Sequence, residues 1–96
     1  SPRRMAKYTV VLAPQAKEDL KTIKKSGDKA AIKKVQKLIS ELSEHPKSGT
    51  GKPEPLRWVE GVWSRRIDRK NRLLYAIMEE KILVLVLSAS GHYSDK

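Results

Sequence analysis

The chain contains no cysteine in its 96 residues, which removes both a disulfide framework and thiol chemistry and suits a cytoplasmic setting. Histidine is nearly as scarce. The two present, His45 and His92, lie far apart without a neighbour at ligand spacing, which speaks against a zinc site. No P-loop and no dinucleotide-binding glycine pattern occurs, so neither metal nor cofactor is expected. There is no apolar run of transmembrane length and no signal-peptide pattern, which makes a membrane the weakest of the candidate partners. Acidic residues are also few, 11 against 21 lysines and arginines, for a formal charge of +10. Such an excess on so short a chain calls for a polyanionic partner: nucleic acid, an anionic surface or an acidic protein.

The length suits one small domain with a single core. Residues 1–4 precede Met5 and read as an expression remnant outside the fold. Residues 7–12 are rich in β-branched and aromatic side chains and predict a first strand. Pro14 suits the first turn of a helix, with Ala16, Leu20 and Ile23 at helical spacing and Gly27 as a stop. Asp28 can cap a second helix, whose apolar stripe is Ile32, Val35, Leu38, Ile39 and Leu42, and Pro46 ends it. The short connection predicts a helical hairpin. His45 reads as a cap or surface residue near the end of that second helix. Lys17, Lys21, Lys24, Lys25, Lys29, Lys33, Lys34 and Lys37 line the outer helix faces, as an ordinary solvated surface or as a sequence-independent phosphate-binding one.

The second half predicts a flexible loop over 47–51 and strands over 62–68, 72–79 and 82–87, the last apolar enough to be buried on both faces. Turns fall at 68–71 and 79–80. Strand alternation sends Trp63, Arg65 and Ile67 to one face and Val62, Ser64, Arg66 and Asp68 to the other. The expected class is therefore α+β in the order β-α-α-β-β-β, an antiparallel sheet with a helical hairpin on one face. The first strand must join that sheet as a long-range partner. Trp58 and Trp63 are candidates to stack on a base, although Trp63 in a strand fits the core as well.

The chemistry concentrates in Gly51-Lys52-Pro53-Glu54-Pro55-Leu56-Arg57 and in the arginines that follow, Arg65, Arg66 and Arg72. Each proline disfavours helical backbone in the residue before it, so Lys52 and Glu54 are both expected to be extended. RNA carries its own nucleophile, the 2′-hydroxyl. Cutting it takes a base for that proton, cations for the phosphate and an acid for the leaving 5′-oxygen. A held carboxylate, arginine forks and a late histidine, His92, supply those types. Spacing alone leaves a plainer alternative, in which Lys52 to Pro55 is a stiff surface linker and His92 an exposed terminal residue.

Four motifs in order decide between them: Gly51-Lys52-Pro53-Glu54-Pro55-Leu56, Gly61-Val62-Trp63-Ser64-Arg65-Arg66-Ile67, Asn71-Arg72-Leu73-Leu74-Tyr75 and His92-Tyr93. Together they resemble the YoeB toxins of the RelE/ParE toxin superfamily. The resemblance implies a RelE-like microbial-RNase fold and one toxin domain over 1–96, with ribosome-dependent endoribonuclease activity on messenger RNA in the A site. Glu54 would be the general base, Arg72 would stabilise the phosphorane and His92 would be the general acid. Tyr93 would help to position the messenger, and Lys52, Arg57, Arg65 and Arg66 would hold RNA backbone. It further implies 16S rRNA as a contact, a YefM-type antitoxin as partner, homodimers as one assembly and a cytoplasmic location. Asn71 departs from the archetype's histidine, and Ser90-Gly91 from its arginine and aromatic residue. A reading that needs no active site also stands: a non-catalytic basic protein that inhibits translation by occupying the ribosome or another nucleic acid.

Overall fold

The computed structural model describes residues 7–57 and 59–90. The elements run β1 (Thr9–Leu12), α1 (Pro14–Lys25), α2 (Lys29–Leu42), β2 (Glu54–Pro55), β3 (Val62–Arg66), β4 (Arg72–Met78), a 3₁₀ turn (Glu79–Lys81) and β5 (Leu83–Ser88). Both helix starts follow local chemistry. Pro14 occupies the first turn of α1, where its missing N–H costs nothing. Asp28 caps α2 by accepting the Ala31 amide at 3.1 Å. Gly27, at φ +77°, makes the corner between them. Helix α2 stops at Leu42, short of Pro46, so His45 lies beyond it with an exposed side chain.

The five strands form one sheet in the order β1-β5-β4-β3-β2. Strands β2 to β5 are antiparallel neighbours, as the turn chemistry implies. The long-range joining of β1 is to β5, and it is parallel, Thr9 opposite Leu83 through Leu12 opposite Val86. The sheet is therefore mixed, because the helical hairpin carries the chain across one face between β1 and the rest. Strand β2 is an addition to the sequence expectation, two residues of edge pairing that put Glu54 opposite Ser64.

The helix-covered face holds the core: Ala16, Ile23, Ala31, Val35, Leu38 and Leu42 from the helices meet Leu73, Tyr75, Val84 and Val86 from the sheet. The other face carries no element among the described residues. Strand β5 is accordingly buried on one side, at Val84 and Val86, and half-buried on the other, at Leu83 and Leu85, rather than covered on both. The turn at 79–81 takes Ile82 out of the expected strand into left-handed backbone at φ +48°. Strand β3 also ends early, at Arg66, because Asp68 folds back to accept the Lys70 and Asn71 amides at 2.9 and 2.8 Å. Burial tends to raise the Asp68 pKa, but these amide bonds overcome it and hold the carboxyl below its ordinary value.

Candidate active site on the open sheet face

Directly opposed residues in an antiparallel pair share a face. Glu54 is opposite Ser64, Ser64 is opposite Leu74, and Arg66 is opposite Arg72. Residues two apart in a strand also share a face. Glu54, Ser64, Arg66 and Arg72 therefore stand together on the side of the sheet away from the helices. Glu54 and Arg66 are exposed, and Arg72 is half-buried. Its Nη1 donates to Ser64 Oγ at 3.3 Å, so Ser64, itself covered, forms the floor between carboxylate and guanidinium. The carboxylate strand and the Arg72 strand are separated by β3, roughly 10 Å from backbone to backbone.

Beyond Arg72 the chain returns at Ser90, whose carbonyl accepts the Arg72 amide at 3.3 Å. His92 follows two residues later in the sequence. His92 and Tyr93 lie outside the described residues, as does Trp58. A β-bulge between Leu74 and Tyr75 shifts the β4–β5 register at the end next to Arg72. Lys52 and Arg57 are exposed on either side of Glu54 along the chain. Lys52 is not extended as its proline neighbour predicts. It takes φ +50°, because Gly51 at φ +84° has already turned the chain sharply against β3. Left-handed backbone in a non-glycine residue before proline is strained, and strain of this kind collects at functional sites.

Arg65 is the clear correction. The resemblance makes it an RNA-backbone contact, but its side chain is 0% exposed on the helix-facing side. Its Nε donates to Tyr75 Oη at 3.1 Å. Nη1 donates to Glu41 Oε1 at 2.9 Å and to the Thr50 carbonyl at 3.3 Å. Nη2 donates to the His45 carbonyl and, at 2.7 Å, to that of Ser48. A guanidinium has five N–H donors, and all five are taken. The sequence carried part of this signal, since alternation grouped Arg65 with the apolar Trp63 and Ile67 and split it from Arg66. The loop expected to be flexible over 47–51 is instead pinned, with Thr50 donating its amide and hydroxyl to Glu41 at 2.8 and 2.7 Å. Sequence reasoning passed over Glu41 and Ser64, which nothing but their partners distinguishes from surface residues.

Electrostatics at this buried cluster are consistent. Burial works to raise the Glu41 pKa. The hydrogen bonds from Thr50 and then from Arg65 outweigh it and hold the carboxyl below its ordinary range. Burial pushes the Tyr75 phenol up, so it stays protonated and donates to the Pro46 carbonyl at 2.7 Å.

A sequence model of the YoeB-like toxins of bacterial type II toxin-antitoxin systems matches residues 12–93. The chain belongs to that family. Toxin YoeB of Escherichia coli K12 is 43% identical over 58 residues, covering 59% of this chain and 69% of that protein. Among solved structures, a YoeB/ParE toxin from Agrobacterium tumefaciens superposes with a TM-score of 0.79 at 29% identity, over 88% of this chain and 99% of that one. The YoeB of Staphylococcus aureus, solved as a dimer, superposes at 0.75 with 32% identity, over 92% of this chain and all of its own. Its heterotetrameric complex with YefM gives 0.73 over the same shares of the two chains. The α+β architecture, two helices on one face of a five-stranded sheet, is thus that of the family, and the protein is a toxin of a type II toxin-antitoxin system. No helix among the described residues is long and apolar enough to cross a membrane.

Proposed function

We propose that the protein is a ribosome-dependent endoribonuclease that cuts messenger RNA in the A site by 2′-hydroxyl transesterification. The observation that carries this reading is Arg66 facing Arg72 across β3 and β4, with Glu54 on the same open face. Two like charges directly opposed cost stability and call for an anion between them. A phosphodiester meets that demand, and arginine forks match its oxygens. In the reaction Glu54 takes the proton of the 2′-hydroxyl as that oxygen bonds to phosphorus. Arg72, with Arg66 beside it, neutralises the charge gathering on the phosphate oxygens. The bond from phosphorus to the 5′-oxygen breaks, and His92 gives that oxygen its proton while Tyr93 helps to hold the messenger. Lys52 and Arg57 steady the RNA backbone on the carboxylate side. The products are a 2′,3′-cyclic phosphate upstream and a 5′-hydroxyl downstream.

The ribosome supplies the messenger, with 16S rRNA as the surrounding contact, and a YefM-type antitoxin holds the toxin inactive in the cytoplasm. The S. aureus relative solved with YefM supports the second partner, and the +10 charge supports the first. A messenger with a 2′-methoxy group at the cut site tests the internal nucleophile. It should bind and remain intact, and cutting at that site would remove this mechanism.

A blockade reading is favoured by one other observation. Seven of the eight helix lysines are exposed, on the side of the molecule away from Glu54. Inhibition through that surface alone would survive Glu54→Ala and would weaken steeply with salt.

A further inference from the structure

Arg65 and Arg66 are adjacent in β3 but serve opposite faces, and the loop that carries Glu54 is tied to both. Behind the sheet, the Arg65 guanidinium gathers the carbonyls of His45, Ser48 and Thr50. In β3 itself, the Arg66 amide donates to the Gly51 carbonyl at 2.7 Å. Glu54 then pairs with Ser64. Between the last Arg65 contact, at Thr50, and Glu54 there is little slack. Gly51 is hydrogen-bonded, Lys52 is fixed at φ +50°, and Pro53 has its φ set by its ring. Glu41 closes the cluster from α2 by binding both Thr50 and Arg65, and Tyr75 closes it from β4 by bridging Arg65 to the Pro46 carbonyl.

We infer that Arg65 is a positioning residue, a buried anchor that holds the loop at 45–51 and so fixes where the Glu54 carboxylate stands relative to Arg66 and Arg72. This rests on the nuclease reading of that face. Stability alone is a weak reason for such a cluster, since well-packed apolar residues commonly stabilise as well as a buried ion pair does. Placement is a better one. Five donors in a planar fork orient three separate carbonyls of one loop while also holding Glu41 and Tyr75, five partners that a lysine, with a point charge and three donors, does not serve.

The experiment compares wild type with Arg65→Lys and, as a milder change that keeps the ring, Tyr75→Phe. Two readouts are taken on each. The first is amide hydrogen exchange at Thr50, whose amide ties the loop to Glu41, and at Arg66, whose amide donates to the loop carbonyl of Gly51, against Val84 and Val86 in the core. The second is single-turnover cutting of a messenger on the ribosome across a range of toxin concentrations. The expected result is selective loss of protection at Thr50 and Arg66, with core amides unchanged. The saturating cutting rate should fall, by as much as roughly 100-fold for Arg65→Lys, as expected for a catalytic group displaced by about 1 Å. The half-saturating concentration should stay nearly constant. If the more severe variant does not fold, Tyr75→Phe decides. Uniform loss of protection would overturn the inference, as would a loosened loop that cuts at the wild-type rate, or a rate loss matched by an equal loss of affinity. Absence of cutting by the wild type would sink the nuclease reading instead, and the exchange pattern alone would then decide whether Arg65 anchors the loop.

Discussion

Arg66 and Arg72 stand directly opposite one another across β3 and β4, on the sheet face that the helices leave open. Arg72 is steadied by Ser64, whereas Arg66 is exposed beside it. Like charges at directly opposed positions destabilise a sheet. Arg66→Gln, which removes the charge and keeps a polar donor, should therefore raise stability in urea denaturation at low salt. It should also weaken cutting. The trade of stability for function marks the pair as built for an anion. A variant that is both less stable and fully active would show that Arg66 has a structural partner instead.

Glu41 gives the molecule an acid-sensitive joint. Its folded carboxyl lies below the ordinary value of about 4.5, through Thr50 and Arg65, against the opposing effect of burial. A depressed carboxylate contributes stability above its unfolded pKa and loses it as pH falls through the folded one. Glu41→Gln keeps an acceptor for the Thr50 amide but removes the charge facing Arg65. It should cost about 3 kcal/mol or less at neutral pH, the low end for breaking a buried pair. The gap between wild type and variant should then narrow as pH drops below about 4.5. A gap that widens on acidification would mean Glu41 is not held ionised by the fold.

Gly51 and Gly27 make a matched comparison. Both have left-handed φ, +84° and +77°. A Cβ on Gly51 would lie 2.9 Å from the Arg66 carbonyl and 3.2 Å from Arg65 Cβ, whereas one on Gly27 would meet nothing within 4 Å. Gly27→Ala should cost only the conformational penalty, about 1–2 kcal/mol. Gly51→Ala should cost that plus a steric clash of about 1–3 kcal/mol, and should slow cutting by moving the Glu54 loop. Equal losses by thermal denaturation at the two sites would refute the close approach of loop and β3.

Ile82 is β-branched, 42% exposed and left-handed at φ +48°. Little packing opposes a change there. Ile82→Asn should stabilise the fold by about 1 kcal/mol, since asparagine tolerates that backbone region and isoleucine does not. A drop in stability would indicate that the Ile82 side chain makes contacts worth more than the strain.

Much of the architecture was legible because local rules and tertiary packing agree. Pro14 and Asp28 mark helix starts, the α2 stripe fills the core, and alternation in β3 splits Arg65 from Arg66. The parallel seat of β1 beside β5 was not legible, since the partners are some seventy residues apart and share no turn. The burial of Arg65 was masked by a general rule, that arginines stay at the surface unless paired. Its carboxylate partner lies 24 residues away in α2, and three of its other acceptors are backbone carbonyls, which have no sequence signature. Lys52 departed from the proline rule because Gly51 and its bond to Arg66 dictate the turn. For the candidate site, cross-strand register brings Glu54, Arg66 and Arg72 to one face, which only the fold could supply.

The most direct measurement places a defined messenger in the A site of purified ribosomes and maps cut ends by primer extension, for wild type and for Glu54→Ala at equal ribosome occupancy. A cut within the A-site codon for wild type alone, with the variant bound and inactive, is the predicted result. Translation stalled equally by both proteins, with the messenger intact, would contradict the nuclease and leave Glu54 as part of a rigid loop on a basic blocking protein.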